Sequence, residues 1–277
     1  MFLNKLIKDS SKQIKKIKIL GIAVNSKSVK PGYIFFAING NKLNGEKFIS
    51  DAIKRGAAVI VCSKKCKYKN KKIPIIKTSN IRQTLSAVSS NFYKLKPKNI
   101  IAVTGTNGKT SVADLYFQIL KINKIPVASI GTLGIKLKTK IIKSSLTTPE
   151  TIFLHQSLEK IKKQKIDNVI IEASSHGLDQ NRLDDIPFKA AIFTNLSQDH
   201  LDYHKTMKSY FKSKLLLFKK ILNKKKIVIS DSSIKEFSNI KKICKKRKLK
   251  LVDIMKIENR LIKRIDLNLN KFQIKNL

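Results

Sequence analysis

The segment Thr104-Gly105-Thr106-Asn107-Gly108-Lys109-Thr110 has the residue types and spacing of a loop that wraps phosphate groups. Its two glycines let the backbone turn tightly, so that successive N–H groups converge on phosphate oxygens. Lys109 can reach the outer phosphates, and the Thr110 hydroxyl can ligate Mg²⁺. Val103 stands where the usual G-x-x-x-x-G-K-[ST] pattern has its first glycine. An ordinary glycine-rich turn is the alternative, but the order strand, loop, Gly-Lys-Thr and helix favours a nucleotide site.

Two further polar positions could supply ligands for a magnesium ion at this loop. Glu172 ends the apolar run 168–171, and His200 follows the apolar run 190–193. Because parallel strands present their carboxyl ends at one edge of a sheet, we expect both side chains on the side of the loop. The pair His200-x-x-x-His204 could by itself suggest zinc, but it lacks a glutamate after the first histidine. Surface histidines are the more common explanation for such a pair.

The apolar runs and turns that must position these residues predict an α/β fold. The first 96 residues have the pattern of a small α/β unit, in which a turn, a strand and a helix follow one another, and later residues alternate strands with helices. Such alternation is typical of a mostly parallel sheet covered on both faces. The strands are expected at 33–38, 57–62, 100–103, 168–171, 190–193 and 227–229, and the helices at 48–53, 81–95 and 111–122.

A break in this pattern at Lys96-Pro97-Lys98 predicts a domain junction. We therefore expect an N-terminal domain over residues 1–96 and a P-loop ATPase-like central domain over residues 97–277. The apolar pattern of residues 263–274 predicts a hairpin that still belongs to the central domain.

Composition limits the class of protein. The 277 residues are 42% hydrophobic, which is enough to bury a core, and no apolar run approaches the length of about 20 residues that a membrane span needs. The first residues show no export signal, and three cysteines support neither a disulfide framework nor a zinc site. We expect a cytoplasmic protein without a membrane partner.

The net charge of +41, from 59 basic and 18 acidic residues, would attract polyanions. Only six of the basic residues are arginine, the side chain that best reads bases and phosphates, and the abundance of Lys, Ile and Asn is typical of A/T-rich coding sequence. We therefore do not expect nucleic acid as the partner.

Six motifs follow one another along most of the chain. They are Ser26-x-x-Val29-x-Pro31-Gly32-x-x-Phe35-x-Ala37, the loop 104–110, Thr147-Thr148-Pro149, Glu172-Ala173-Ser174-Ser175-His176-Gly177-Leu178 with Gln180 and Arg182, Thr194-Asn195-Leu196-Ser197-x-Asp199-His200-Leu201-Asp202-Tyr203-His204, and Lys212-Ser213-Lys214-Leu215-Leu216. In this order they resemble the Mur ligases, ATP-dependent enzymes that add amino acids to the cytoplasmic peptidoglycan precursor. The match is greatest with the MurE type.

The resemblance implies a role for each matched residue. Ser26 matches the serine that holds the uridine end of the substrate, and Lys214 matches a lysine that CO₂ converts to a carbamate. Without that modification, Lys214 would be one exposed helical lysine among 53. The positions that grip the rest of the UDP-sugar peptide are Thr147, Thr148, Ser174, Gln180 and Arg182; the Mg²⁺ ligands are Thr110, Glu172, His200 and carbamylated Lys214.

The implied reaction is ATP-dependent amide formation, with ATP and Mg²⁺ as cofactors. The carboxylate of UDP-N-acetylmuramoyl-L-Ala-D-Glu would attack the γ-phosphate of ATP, and the resulting acyl phosphate would react with the amine of diaminopimelate or lysine. Lys109, Lys214 and His200 are the catalytic candidates, because cationic groups and metal ligands stabilise the charge of the transferring phosphoryl group.

Three departures from the family pattern are visible. The uridine-site stretch reads Asn25-Ser26-Lys27 instead of Asp-Ser-Arg, and Asn44-Gly45-Glu46 replaces the usual Asp-Gly-His. We also expect the third, C-terminal domain of the family to be absent, and therefore a truncated chain with weak or absent amide synthesis by itself, or a separate chain that supplies this domain.

Two alternatives stay open. One is another Mur-type ligase, or a relative of folylpolyglutamate or cyanophycin synthetase; the stretch 172–182 and Thr147-Thr148-Pro149 favour the MurE type over these. The other is a non-catalytic nucleotide- or RNA-binding remnant, for which salt-dependent RNA binding would be the sign.

Overall fold

Mostly parallel sheets with helices between their strands make up the chain, which confirms the expected α/β class. The computed structural model describes residues 1–7, 17–40 and 43–256. Contacts between residues divide the chain into two units, Met1–Lys94 with Thr151–Gln156, and Leu95–Glu150 with Ser157–Leu277. The hairpin expected at 263–274 lies outside the described residues.

The first unit contains a parallel sheet of four strands in the order β1-β2-β3-β4. Strand β3 is apolar along its whole length because both of its faces are buried. Val59 and Val61 point into one hydrophobic cluster, while Ile60 and Cys62 point into another. The elements of this unit are β1 (Gly21–Ala23), β2 (Tyr33–Phe36), α1 (Ile49–Lys54), β3 (Ala57–Ser63), β4 (Ile75–Thr78) and α2 (Ile81–Phe92).

Helix α2 ends at Phe92, three residues before the predicted end at Leu95. The next residue, Tyr93, has φ −94° and ψ 76°, which is outside the helical region and ends the helix there.

The second unit contains an eight-stranded sheet in the order β12-β11-β10-β5-β9-β6-β7-β8, parallel from β12 to β6 and antiparallel at β7 and β8. Its strands are β5 (Asn99–Thr104), β6 (Val127–Gly131), β7 (Gly134–Lys136), β8 (Ile141–Ile142), β9 (Asn168–Glu172), β10 (Phe188–Phe193), β11 (Ile227–Ser230) and β12 (Lys250–Asp253). The helices are α3 (Lys109–Ile122), α4 (Thr151–Lys163), whose first six residues are grouped with the first unit, α5 (Ser175–Asp179), α6 (Leu201–His204), α7 (Met207–Leu216) and α8 (Phe237–Arg247). None of the helices in the described ranges is long and apolar enough to span a membrane.

Strand register brings the predicted site segments to one edge of this sheet. β5 lies between β9 and β10, with Val103 paired to Glu172 and Thr104 paired to Phe193. The loop after β5 and the polar segments after β9 and β10 therefore leave the sheet at the same level.

Helix α3 begins at Lys109, two residues before the predicted start at Ser111. Gly108 precedes it in the left-handed region with φ 84°, a conformation that glycine adopts without steric cost. The helix therefore starts within the loop, and its N-terminal N–H groups face the phosphate side.

Candidate nucleotide and substrate site

The loop 104–110 is held in shape by the residues that follow β10. The N–H groups of Thr106 and Asn107 donate to the backbone and side-chain oxygens of Asn195, at 3.0 and 2.9 Å. The Thr194 hydroxyl donates to the Asn107 carbonyl at 2.6 Å. Gly105 has φ 151°, and a Cβ there would collide with the Thr194 hydroxyl. The shape of the loop therefore depends on Gly105 and on Thr194 and Asn195, the residues that follow β10. The contribution of Thr194 and Asn195 could not be predicted from the loop sequence alone.

Lys109 folds back over the loop from the first turn of α3. Its Nζ donates to the carbonyl oxygens of Gly105 and Thr106, at 3.0 and 2.7 Å. Burial lowers the pKa of Lys109, and the negative charges of Glu172 and Asp199 oppose that shift. The ammonium thus lies beside the loop carbonyls, within reach of any phosphate that enters.

Lys214 is buried, with only 1% of its surface exposed, in contrast to the exposed helical lysine expected for an unmodified residue. Its Nζ donates to the Gly105 carbonyl at 2.6 Å and lies 4.3 Å from the centre of the Tyr210 ring. Burial lowers the pKa of Lys214 to about 7, and repulsion from Lys109 adds to the effect. Two lysines therefore share one carbonyl acceptor, and the pKa of one of them is lowered to about 7.

A π-helical turn, Leu217–Ile221, continues directly from α7 after Lys214. Such turns often occur at functional sites. Tyr210 and Lys214 lie on the same helix four residues apart, and this spacing stacks the ring beneath the amine.

Glu172, the last residue of β9, is only 2% exposed, and its carboxylate contacts Thr110. It accepts hydrogen bonds from the Thr110 hydroxyl at 2.8 Å, from the Thr132 N–H at 3.0 Å and from the Thr132 hydroxyl at 3.1 Å. Thr132 was not predicted from the sequence, because its position in the turn after β6 matches no motif.

His200 is the residue before α6 and has left-handed backbone, with φ 52°. A residue other than glycine rarely adopts this conformation, and such residues are frequent at functional sites. Asp199 accepts from the His200 N–H at 2.8 Å, and its other oxygen lies 3.3 Å from His200 Nε2. The His176 ring packs edge-on against His200, with centroids 4.8 Å apart.

These elements enclose a cavity of about 240 Å³. Loop residues line one part of it, and residues from five other segments line the rest; four of these segments contain predicted substrate or metal residues. The lining residues are Thr106, Asn107, Gly108, Lys109, Thr110, Ser111, Thr132, Thr147, Ser174, Ser175, His200 and Lys214. Six segments that are distant in sequence thus meet at one opening.

Ser174 also belongs to a connected network with three further predicted substrate residues, Thr148, Gln180 and Arg182. The buried Thr148 hydroxyl donates to the Glu172 carbonyl at 2.7 Å and accepts from the N–H and hydroxyl of Ser174, each at 2.9 Å. Arg182 donates to the Thr148 carbonyl at 2.8 Å and to the Gln180 side chain at 2.7 Å. Its guanidinium also pairs with Glu150 at 2.9 Å. Thr148 and Arg182 therefore hold the segments beside the cavity together, and the Arg182 guanidinium also contacts the exposed Glu150 carboxylate.

Ser26 belongs to the first unit and follows β1 in a short 3₁₀ helix, where it is 6% exposed. Its side chain hydrogen-bonds the Asp51 carboxylate; this bond, with Arg55, lowers the pKa of Asp51. Asn25, which replaces the usual aspartate, caps the same turn by accepting from the Lys27 N–H at 3.0 Å. The amide therefore keeps the local fold although the negative charge is lost.

The donor set at the cavity suits magnesium. The described residues include no cluster of three or more His, Cys, Asp or Glu side chains that could hold a metal. Mg²⁺, however, is usually held by one or two carboxylates together with waters and phosphate oxygens. Thr110 and Glu172 are already in contact, and their oxygens are of the hard type that Mg²⁺ prefers. The residues present therefore fit this ion.

Two protein-family models match this chain, and together they cover all the segments that contain the predicted site residues. The model described as "Mur ligase middle domain" matches residues 103–275, and the one described as "Mur ligase family, catalytic domain" matches residues 18–93.

Curated relatives are similar over most of this chain. A protein of Aquifex aeolicus named UDP-N-acetylmuramoyl-L-alanyl-D-glutamate--2,6-diaminopimelate ligase is 42% identical over 231 residues, which cover 82% of this chain and 47% of the relative. A protein of Rickettsia bellii with the same name is 41% identical over 239 residues, covering 85% and 49%. The chain spans about half the length of the curated relatives it matches.

Solved structures of Mur ligases have a fold similar to that of this chain. The structure titled as UDP-N-acetylmuramoyl-L-alanyl-D-glutamate--2,6-diaminopimelate ligase has a TM-score of 0.79 at 26% identity and covers 91% of this chain and 52% of that one. MurF ligase from Thermotoga maritima in complex with ADP has a TM-score of 0.53 at 19% identity, covers 86% and 50% respectively, and is similar in fold alone.

Proposed function

The chain belongs to the Mur ligase family, and on that premise we propose that it provides the ATP-binding and UDP-sugar-binding parts of a ligase that extends UDP-N-acetylmuramoyl-L-Ala-D-Glu. We propose diaminopimelate as the amino acid added, because the relatives at about 40% identity carry that name. The reaction would take place in the cytoplasm, where ATP is available. The observation that carries the proposal is the cavity lined by the loop and by Lys109 and Lys214, together with the hydrogen bond from Thr110 in its wall to Glu172.

Phosphate binding is the first task of these residues. The N–H groups at the start of α3 and the helix dipole favour an anion at the loop. The Lys109 ammonium lies 3.0 and 2.7 Å from the carbonyl oxygens of Gly105 and Thr106. Because the lysine side chain is flexible, the ammonium can leave these two oxygens and bind the outer phosphates of ATP. Neutralising the phosphate charge is the main requirement of phosphoryl transfer.

Thr110, Glu172 and His200 would hold magnesium, which when bound neutralises phosphate charge and favours attack by the substrate carboxylate. Asp199 keeps His200 in place through the backbone N–H and the ring edge. The amine would then attack the acyl carbon of the resulting acyl phosphate, so that the amide C–N bond forms while inorganic phosphate leaves and the amine gives up a proton to solvent.

Lys214 is the candidate for carbamylation. Because its pKa is about 7, roughly half of the amine is unprotonated at neutral pH and able to attack CO₂. A nitrogen–carbon bond forms and one proton leaves to solvent, so a cation is replaced by an anion with two oxygens. That anion would relieve the repulsion between Lys214 and Lys109 and would supply an oxygen ligand suited to Mg²⁺.

Thr147, Thr148, Ser174, Gln180 and Arg182 are proposed to hold the UDP-sugar peptide in the second unit, and Ser26 its uridine end in the first. Thr147 and Ser174 line the cavity directly. Arg182 offers a planar fork, which a carboxylate of the peptide could engage in place of Glu150.

Calorimetric titration of the whole chain with ATP, with and without Mg²⁺, tests the proposal. We expect Mg²⁺ to strengthen ATP binding and Lys109→Met to weaken it at least about tenfold, since a charge-assisted contact to phosphate is lost. Lys121→Met is the matched control, because Lys121 is exposed further along the same helix. Equal affinities for the two variants, or no ATP binding by the wild type, would overturn the proposal.

A further inference from the structure

Thr132 lies in the turn between β6 and β7 and binds the Glu172 carboxylate twice, through its backbone N–H to Oε1 and its hydroxyl to Oε2. We propose that Thr132 is a positioning residue, which fixes the Glu172 carboxylate toward Thr110 and connects it to the substrate side of the cavity through Thr147. The inference rests on the proposed function, because it assigns Glu172 to the metal.

The direction of the hydrogen bonds follows from the chemistry of the groups. An ionised carboxylate only accepts, so the single hydroxyl hydrogen of Thr132 is donated to Glu172. The contact of 3.1 Å between the hydroxyl oxygens of Thr132 and Thr147 must then be donated by Thr147. The result is an ordered chain from Thr147 through Thr132 to Glu172. The remaining lone pairs of the Thr147 oxygen are available as acceptors for a donor in the cavity.

Gly131 leaves the space that the Glu172 carboxylate occupies. A Cβ at residue 131 would overlap Glu172 Oε1 and would lie 2.7 Å from its Cγ. The carboxylate thus lies directly against the backbone of β6, with Gly131 beneath it and the Thr132 hydroxyl beside it. Because both oxygens accept from Thr132, rotation of the carboxylate would break two hydrogen bonds.

Hydrogen bonds that fix the orientation of a metal-ligating carboxylate strengthen metal binding. Partners that orient a ligating group typically change metal affinity by about 10- to 100-fold when they are removed. Valine has nearly the shape of threonine and keeps the backbone N–H, so Thr132→Val removes only the hydroxyl. Thr132 is exposed in a turn, where such a change alters little packing.

The test compares the wild-type chain with Thr132→Val, Thr132→Ser and the control Thr139→Val, an exposed threonine before β8. ATP binding is measured by calorimetry in EDTA and across a series of Mg²⁺ concentrations. We expect Thr132→Val to raise the Mg²⁺ concentration for half-maximal enhancement by about tenfold. Affinity in EDTA should stay within about twofold of wild type, and Thr132→Ser should restore the wild-type Mg²⁺ dependence.

Each other outcome is decisive. Unchanged Mg²⁺ dependence in Thr132→Val overturns the inference and leaves the proposed function standing. Equal loss in Thr132→Val and Thr132→Ser, or an equal loss in EDTA, shows that the turn and not the hydroxyl is responsible, and also overturns it. A wild type whose ATP binding does not respond to Mg²⁺ overturns the proposed function, a result that is visible before any variant is made.

Discussion

Replacement of the buried Lys214 by methionine should change how protein stability depends on pH. Methionine fills a similar volume without a charge, and therefore removes the one group on α7 whose pKa is lowered to about 7. In the unfolded chain this amine has its ordinary pKa of 10.5. Between these values the unfolded state holds a proton that the folded state does not, so the contribution of Lys214 to stability rises with pH across this window.

The size of the effect follows from the gap between the two values. Each pH unit within the window contributes up to about 1.4 kcal/mol to the free energy of unfolding. Between pH 7.5 and 9.5 the wild type should gain about 2.5 kcal/mol relative to Lys214→Met. Burial is the main cause, because the side chain is 1% exposed and solvent screens it little.

The assay is reversible guanidinium unfolding of both proteins in CO₂-free buffer at several pH values between 7.5 and 9.5. Lys212→Met is the control, since Lys212 lies exposed on the same helix and stays in water in both states. The reasoning would be refuted by parallel pH curves for the wild type and Lys214→Met. With ¹³C-bicarbonate added, the wild type should show a carbamate carbon signal in NMR that Lys214→Met lacks.

Three further substitutions test the site. Gly105→Ala should weaken ATP binding at least about tenfold in calorimetry while circular dichroism stays unchanged, because the new methyl group meets the Thr194 hydroxyl; wild-type affinity would contradict the loop geometry. Thr148→Val should lower the free energy of unfolding by about 2–4 kcal/mol in guanidinium, since one donor and two acceptor bonds are lost in a buried position, and a loss below about 1 kcal/mol would speak against that network. Glu150→Gln should change stability by less than about 1 kcal/mol and strengthen binding of UDP-N-acetylmuramoyl-L-Ala-D-Glu a few-fold, because Arg182 loses a competing carboxylate; weaker binding would show that Glu150 does not compete.

The pattern of apolar residues was sufficient to predict the strands that position the site residues. The unbroken apolar runs 100–103 and 168–171 correspond to β5 and β9, because parallel strands buried on both faces leave no polar alternation. Their carboxyl ends could be placed at one edge from topology alone, which brought Glu172 to the loop. Periodicity located the start of α2 at Ile81 but not the start of α3, since Gly108 allows α3 to begin inside the loop through a positive φ.

The supporting contacts could not be predicted in the same way. The burial of Lys214 depends on the loop carbonyl of Gly105, 109 residues earlier, and on the Tyr210 ring beneath it. Thr132 and Glu172 are 40 residues apart, and neither motif nor spacing relates them. Such contacts arise when separate strand ends meet, so they become visible only once the fold is assembled.

The most direct test of the site is a crystal structure of this chain with Mn²⁺ and a non-hydrolysable ATP analogue, in which anomalous scattering locates the metal. We expect the phosphates against the N–H groups of the loop 104–110 and the Lys109 ammonium, and the metal beside the Thr110 hydroxyl on the side of Glu172. Nucleotide bound elsewhere, or a metal remote from both Thr110 and Glu172, would contradict the account.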